Sequence, residues 1–190
     1  MKLLEDRIRK DGKISEGDIL SVASFLNHQM DVEFLCRLGE EFERIFHGEN
    51  ITKILTIEAS GIGIACLAAQ YFHVPVLFAK KGKTDNISSD VYASRVYSYT
   101  HKKEYSVVVS KEFLRSDDKV LIIDDFLATG SAVIALAELC EQAGATVAGV
   151  GAVIEKTYQN GRKALEERGL RVESLACIKS MSVENGAEFC

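Results

Sequence analysis

The chain has 190 residues, of which 47% are hydrophobic, and its formal net charge is −5 at pH 7. This length and apolar content suit one domain with a substantial core, so we predict a single domain over residues 1–190. The acidic balance argues against a protein that binds nucleic acid mainly through its phosphates, and we expect no nucleic-acid partner.

Two further features bear on location. The chain is charged from Lys2 onward, and no apolar run approaches the roughly 18 residues that a membrane span needs, so we expect neither a signal peptide nor a membrane partner. The five cysteines are scattered without a Cys-x-x-Cys pair, which is typical of reduced thiols rather than of a metal-thiolate site. We therefore expect a cytoplasmic protein.

The N-terminal region precedes the first core strand. Residues 1–10 favour a helix, and the apolar residues between 14 and 22 alternate with polar ones, which predicts short extended pieces. Asp31 is a good N-cap for an amphipathic helix that ends near Gly48.

The first core strand is predicted at Lys53–Ile57, followed by a turn at Glu58–Ile62 and an apolar helix at Gly63–Phe72. A turn that leads into a helix presents free N–H groups and suits an anion. Gly61-x-Gly63 resembles a dinucleotide fingerprint. However, Cys66 stands where the third glycine or alanine belongs, and no acid follows at about twenty residues, so we reject a nicotinamide or flavin site.

A second strand, Pro75–Ala79, runs directly into Lys80, Lys81 and Lys83. A charge run is usually a solvated face, but lysines at the carboxyl end of a core strand lie where a bound anion would be.

Residues 84–104 are polar, contain three tyrosines and lack a sustained apolar period. A structureless stretch of about twenty residues in a compact domain usually serves as an active-site lid. The alternative is a pair of ordinary hairpin strands with exposed tyrosines. Strand structure is predicted to resume at Tyr105–Val109.

The most informative stretch starts at Val120. Four apolar residues predict a strand buried on both faces, and Asp124 and Asp125 follow at its carboxyl end. The small residues Ala128, Thr129, Gly130, Ser131 and Ala132 then lead into a helix at Val133–Ala143, which predicts a phosphate site. Two carboxylates suit vicinal hydroxyls, so the combination fits a ribose 5-phosphate, although a buried strand with two solvated acids is the simpler alternative.

The remaining pattern continues the alternation of strands and helices. We predict a strand at Thr146–Ile154, a short helix at Gly161–Arg168, a strand at Val172–Ile178 and an edge strand or tail at Ser180–Cys190. Such alternation specifies an α/β fold with a mainly parallel central sheet flanked by helices.

An apolar strand, two acids and a small Thr-Gly loop resemble the signature of the type I phosphoribosyltransferases. The resemblance implies their fold, with an N-terminal base-covering segment at about 1–30 and a mobile flap at about 82–104. By this resemblance, Asp124 and Asp125 would bind the ribose hydroxyls of phosphoribosyl pyrophosphate, and residues 128–132 would bind its 5-phosphate. The pyrophosphate would contact Ala59, Ser60, Gly61, Lys80 and Lys81. The resemblance also implies Mg²⁺ bound through that substrate, and a homodimer.

Lys156 limits which purine can be the acceptor, because it follows a strand and offers three hydrogen-bond donors without an acceptor. This favours a 6-oxopurine over adenine. Leu20 and the segment Ser24–Gln29 resemble the base-covering segment of family members that use xanthine, which implies that Leu20 and Asn27 line the base pocket opposite Lys156. In hypoxanthine-guanine members an acid stands where this chain has Ala128, so a general base is absent there.

Alternatives remain at each position and for the whole chain. Leu20 could be a core residue, Asn27 a turn residue and Lys156 a surface charge. The acceptor could be guanine, hypoxanthine or adenine. Some regulators keep this fold to sense phosphoribosyl pyrophosphate, but they add a winged helix, whereas this acidic chain reaches its base-covering segment by residue 20.

Overall fold

The computed structural model describes residues 1–82, 90–98 and 103–190. Its helices are α1 (Lys2–Asp11), α2 (Val32–Ile45), α3 (Ser60–Phe72), α4 (Ser131–Ala143) and α5 (Gly161–Glu166), with a π-helical turn at Ala23–Asn27. The strands are β1 (Lys13–Ser15), β2 (Ile19–Ser21), β3 (Lys53–Ile57), β4 (Val76–Lys81), β5 (Val91–Ser98), β6 (Lys103–Ser110), β7 (Lys119–Leu127), β8 (Thr146–Lys156), β9 (Val172–Ser182) and β10 (Gly186–Phe189).

The main sheet, within the described ranges, has the order β10-β9-β8-β7-β3-β4-β6-β5. The central strands β4, β3, β7, β8 and β9 are parallel, and the pairs at both edges are antiparallel. Strands buried on both faces read as continuous apolar runs, which is why β7 could be recognised from its sequence. The predicted mainly parallel sheet is confirmed, as is the edge strand near the C-terminus.

The sheet separates two hydrophobic cores. Leu121 and Ile123 of β7 face the core that also holds α2, α3 and the N-terminal segment, whereas Val120 and Ile122 face the core under α4. Side chains alternate across a strand, so one apolar run supplies both cores. Asp31 caps α2 as predicted, since its side chain accepts a hydrogen bond from the Phe34 N–H. None of the helices in the described residues combines the length and apolar character needed to cross a membrane.

The prediction of an irregular segment at 84–104 is wrong where the structure describes it. β5 and β6 form an antiparallel hairpin, with Val91 opposite Ser110. Ser94 is buried, and its hydroxyl donates to Glu138 of α4 over 2.6 Å. This hydrogen bond allows a polar residue to lie inside the fold. Glu138 is 44 residues away in the chain, so the sequence around Ser94 carries no sign that this residue is buried. Residues 83–89 and 99–102 of the predicted flap lie outside the described residues.

Candidate active site

The site lies where the chain reverses direction across the sheet. From β3 the chain continues outward through α3 to β4, whereas from β7 it continues through α4 to β8 on the other side. β3 and β7 are paired up to Leu55 and Ile122, while β7 and β8 stay paired as far as Leu127 and Glu155. The carboxyl ends of β3 and β7 therefore leave a crevice at a topological switch point, which is where open α/β sheets bind ligands.

Asp124 and Asp125 stand at this crevice. The sequence predicted that the strand ends at these two acids. In the structure β7 runs on to Leu127, because its pairing with β8 continues past them. Their exposed fractions are only 6% and 9%. The Asp125 N–H donates to Asp124 Oδ1 over 3.0 Å, and the Phe126 N–H donates to Asp125 Oδ1 over 3.1 Å.

Burial raises the pKa of Asp124 well above its ordinary value, and the charge of Asp125 raises it further. The positive charge of Lys81 acts in the opposite direction. A buried carboxylate pair of this kind is stabilised by hydroxyl donors or by a cation. The arrangement thus suits a polyhydroxy ligand that binds together with a cation.

The loop from β7 to α4 provides the first anion cradle. Gly130 has a left-handed conformation, with φ +81°, and no described side chain caps α4. Helix geometry leaves the N–H groups of the first turn without intrahelical partners, and they point into the loop. The Thr129 and Ser131 hydroxyls lie 2.9 Å apart and add donors.

Gly161 supports this loop from behind and was missed in the sequence. Its N–H donates to the Ala128 carbonyl over 3.0 Å. A Cβ on Gly161 would lie 2.3 Å from the Ala128 oxygen, and one on Gly130 would lie 3.2 Å from the Gly161 oxygen. Two glycines therefore allow two backbones to touch. The only local signal was a glycine at a helix start.

A second cradle follows β3. Ala59 is the N-cap of α3, and Ser60 and Gly61 form its first turn, after a cis peptide bond between Glu58 and Ala59. A Cβ on Gly61 would lie 2.1 Å from Thr56 Oγ1 and 3.6 Å from Asp124 Oδ1. The start of α3 thus reaches the acid pair, and the structure brings these predicted residues together.

The structure separates the two predicted lysines, because β4 continues through both of them. Lys81 lies with its Nζ 5.4 Å from the Tyr105 ring centroid, and its charge acts on Asp124. Lys80 points to the other side of the strand, into a groove of about 910 Å³ that it shares with Phe78 and Phe113. Of these two lysines, Lys81 is the one whose charge acts on the acid pair.

The N-terminal segment closes over the same edge of the sheet. The Asn27 amide donates to Asp125 Oδ2 over 3.0 Å, a contact across 98 residues that the sequence did not reveal. Lys156 Nζ donates to the Asp18 carbonyl over 2.5 Å and lies 5.9 Å from the Phe126 ring centroid. Burial lowers the pKa of Lys156, and the charge of Asp18 partly offsets this.

Leu20 follows Asp18 in the same hairpin and is buried. Leu20 packs in the core against which Phe126 also packs. As part of that core, it could contribute an apolar wall to the base pocket beside Phe126. Asn27, Lys156 and Leu20 therefore belong to one region, joined to the acid pair through Asn27.

Comparisons with known proteins agree with this geometry. The model of the phosphoribosyl transferase domain matches residues 37–186. The chain is 57% identical over 186 residues to a xanthine phosphoribosyltransferase of Lachnoclostridium phytofermentans, covering 98% of this chain and 96% of the relative. It is 52% identical over 187 residues to a xanthine phosphoribosyltransferase of Bifidobacterium longum subsp. infantis, covering 98% and 97%.

Among solved structures, adenine phosphoribosyl transferase from Trypanosoma brucei, in complex with AMP, pyrophosphate and ribose-5-phosphate, superposes with a TM-score of 0.78. The match covers 99% of this chain and 85% of that one at 20% identity, and it shows a shared fold. The family match, the crevice with its acid pair and the two cradles lead to one conclusion: the chain belongs to the type I phosphoribosyltransferase family.

Proposed function

We propose that this chain transfers the 5-phosphoribosyl group of phosphoribosyl pyrophosphate to N9 of xanthine, giving xanthosine 5′-monophosphate and pyrophosphate. The observation that carries the proposal is the buried acid pair between two anion cradles in the switch-point crevice. Relatives that are 52–57% identical over nearly their whole length bear the name xanthine phosphoribosyltransferase, which supports xanthine as the acceptor.

In this reaction the chain acts mainly by positioning. Asp124 and Asp125 accept hydrogen bonds from the ribose hydroxyls, and residues 128–132 hold the 5-phosphate, so that C1 faces the base. The new bond joins N9 to C1 as the bond from C1 to the pyrophosphate oxygen breaks, and the imidazole-ring proton of xanthine passes to water. Residues 59–61 and Lys81 receive the pyrophosphate as negative charge develops on it. Fixing both reactants in this way removes much of the entropic barrier.

The donor set fits Mg²⁺, because this ion is usually bound by one or two carboxylates together with substrate phosphates. The described residues contain no cluster of three or more metal-ligating side chains, so the substrate has to complete the coordination. Asp124 and Asp125 would hold the ion through the ribose hydroxyls that they bind, and the ion would supply positive charge for the departing pyrophosphate.

Two side chains support a 6-oxopurine. Lys156 can only donate, so it complements a carbonyl and opposes the amino group of adenine. Asp125 can only accept, and it therefore fixes the NH₂ group of Asn27 towards itself. The Asn27 oxygen is left to accept from a ring N–H. Neutral xanthine carries an N–H on each side of its second carbonyl, whereas hypoxanthine lacks that carbonyl, so the wrong base leaves polar groups unpaired.

The test is turnover of xanthine, hypoxanthine, guanine and adenine with phosphoribosyl pyrophosphate and Mg²⁺. We expect xanthine to have the highest kcat/KM. Lys156→Met should lower kcat/KM for xanthine by about 10- to 150-fold, because a hydrogen bond from a charged group contributes about 1.5–3 kcal/mol. Lys179→Met is the matched control, since Lys179 pairs with Glu188 at the sheet edge. Preference for another purine would refute xanthine as the acceptor.

We also propose a cytoplasmic homodimer and a flap over the bound substrates at residues 82–104. Strand β5, which is held on α4 through Ser94, would form the fixed part of this flap. Exposed Phe78 and Phe113, at 37% and 54%, line the groove beside Lys80 and support a protein contact there. Sedimentation of the wild type and of Phe78→Glu tests the dimer. A monomeric wild type would contradict it.

A further inference from the structure

Glu155 and Arg162 form an ion pair that the proposed reaction does not use. Glu155 is 1% exposed, at the end of β8, and Arg162 is on the first turn of α5. Arg162 Nε and Nη2 donate to the two carboxylate oxygens of Glu155 over 2.8 and 2.6 Å. The Ser174 hydroxyl donates to the same carboxylate over 2.5 Å, and Arg162 Nη1 donates to the Val172 carbonyl over 2.8 Å.

The pair closes a loop whose two ends belong to different substrate sites. Lys156, at the proposed base site, directly follows Glu155, and Gly161, behind the phosphate loop, directly precedes Arg162. Within the loop, the Gln159 N–H donates to the Lys156 carbonyl and the Thr157 N–H donates to Ile178, each over 3.0 Å. Gly161 then contacts Ala128 and Gly130 of the phosphate loop.

A bidentate pair fixes orientation as well as distance, because the planar guanidinium matches the planar carboxylate. Burial alone would raise the pKa of Glu155, but the hydrogen bonds from Arg162 and Ser174 lower it below its ordinary value, so the carboxylate stays charged. A buried ion pair often contributes little net stability, and a role in geometry is therefore the more specific explanation.

We propose that Glu155 and Arg162 are positioning residues that hold Lys156 and the 128–132 loop at a set separation, so that base and sugar phosphate bind in reacting register. The Lys156 part of this inference rests on the proposed function, whereas the phosphate-loop part needs only phosphoribosyl pyrophosphate. A displacement of about 1 Å far from the chemistry can cost about a hundredfold in rate.

The decisive variant is Arg162→Lys, which keeps the charge but loses the bidentate fork. We expect kcat to fall and KM to rise for both substrates, with kcat/KM down by about tenfold or more. Calorimetry should show weaker binding of phosphoribosyl pyrophosphate with Mg²⁺, in the absence of any purine. Arg168→Lys is the matched control, because Arg168 pairs with Glu138 on the surface and should keep wild-type constants.

Chemical rescue distinguishes the loss of the ion pair from a general loss of folding. Arg162 is 33% exposed, so added guanidinium can reach the gap left by Arg162→Ala and should restore part of the lost kcat, whereas Arg168→Ala should keep the wild-type kcat with or without guanidinium. Wild-type kcat and KM in Arg162→Lys would overturn the inference, as would losses that only follow the unfolded fraction. If the wild type rejects xanthine while Arg162→Lys still weakens binding of phosphoribosyl pyrophosphate, the acceptor assignment fails but the phosphate-loop role stands.

Discussion

Asp124→Asn should make the free protein more stable while abolishing its activity. Asp124 is 6% exposed, and both burial and the charge of Asp125 raise its pKa. An amide of the same shape can still accept the hydrogen bond from the Asp125 N–H, so the substitution removes a buried charge without leaving a gap. It also removes one acceptor for the ribose hydroxyls.

The size of the gain follows from the like-charge repulsion. Two unit charges 4 Å apart interact by about 4 kcal/mol at an effective dielectric constant of about 20. The Asp125 side chain lies close enough to raise the Asp124 pKa, while the positive charge of Lys81 offsets part of the repulsion, so we expect a net gain of about 1–2 kcal/mol. For a chain of this length, that corresponds to a Tm rise of about 2–8 °C.

The gain should depend on pH with a definite sign. The unfolded chain releases the Asp124 proton at an ordinary pKa, whereas the folded protein holds it to a higher pH. Wild-type stability therefore falls as pH rises between these two values, and asparagine cannot titrate. The Tm difference between the variant and the wild type should widen as pH rises through this window.

Thermal unfolding of both proteins across pH, with and without phosphoribosyl pyrophosphate and Mg²⁺, is the assay. At a ligand concentration of about 100 times Kd, the wild type should gain about 2.7 kcal/mol, and the variant much less. A variant that is less stable than the wild type at every pH would contradict the raised pKa of Asp124, and one that gains as much from ligand would refute the assignment of Asp124 to the ribose.

Three further substitutions test individual contacts. Gly130→Ala should cost about 1–2 kcal/mol, because φ is +81°, and should raise KM for phosphoribosyl pyrophosphate; Gly169→Ala, at φ +77° with open space around it, should lose similar stability with KM unchanged. Asn27→Ala should raise KM about tenfold for both substrates, and a change confined to xanthine would show that the contact to Asp125 carries no coupling. Gly61→Ala should lower stability by about 1–3 kcal/mol in thermal unfolding, since its Cβ would lie 2.1 Å from Thr56; an unchanged Tm would contradict the close packing.

Most of the predicted architecture could be found from the sequence because each part has a local pattern. The apolar run before Asp124 identifies a strand buried on both faces, and small residues between a strand and a helix identify each anion cradle. Strand ends were less accurate, since β7 runs on to Leu127 and β4 to Lys81. Where a strand stops depends on how far its neighbour stays paired, which is a property of two segments.

The sequence by itself determined the α/β fold, the acid pair and the order in which the anion cradles follow the strands. Only the tertiary structure decided that Asn27 contacts Asp125, that the charge of Lys81 acts on Asp124 while Lys80 faces the groove, and that Gly161 lies behind the phosphate loop. The physical reason is range. Propensity, capping and periodicity act over a few neighbouring residues, whereas these contacts join segments brought together only when the two cores are packed on the sheet.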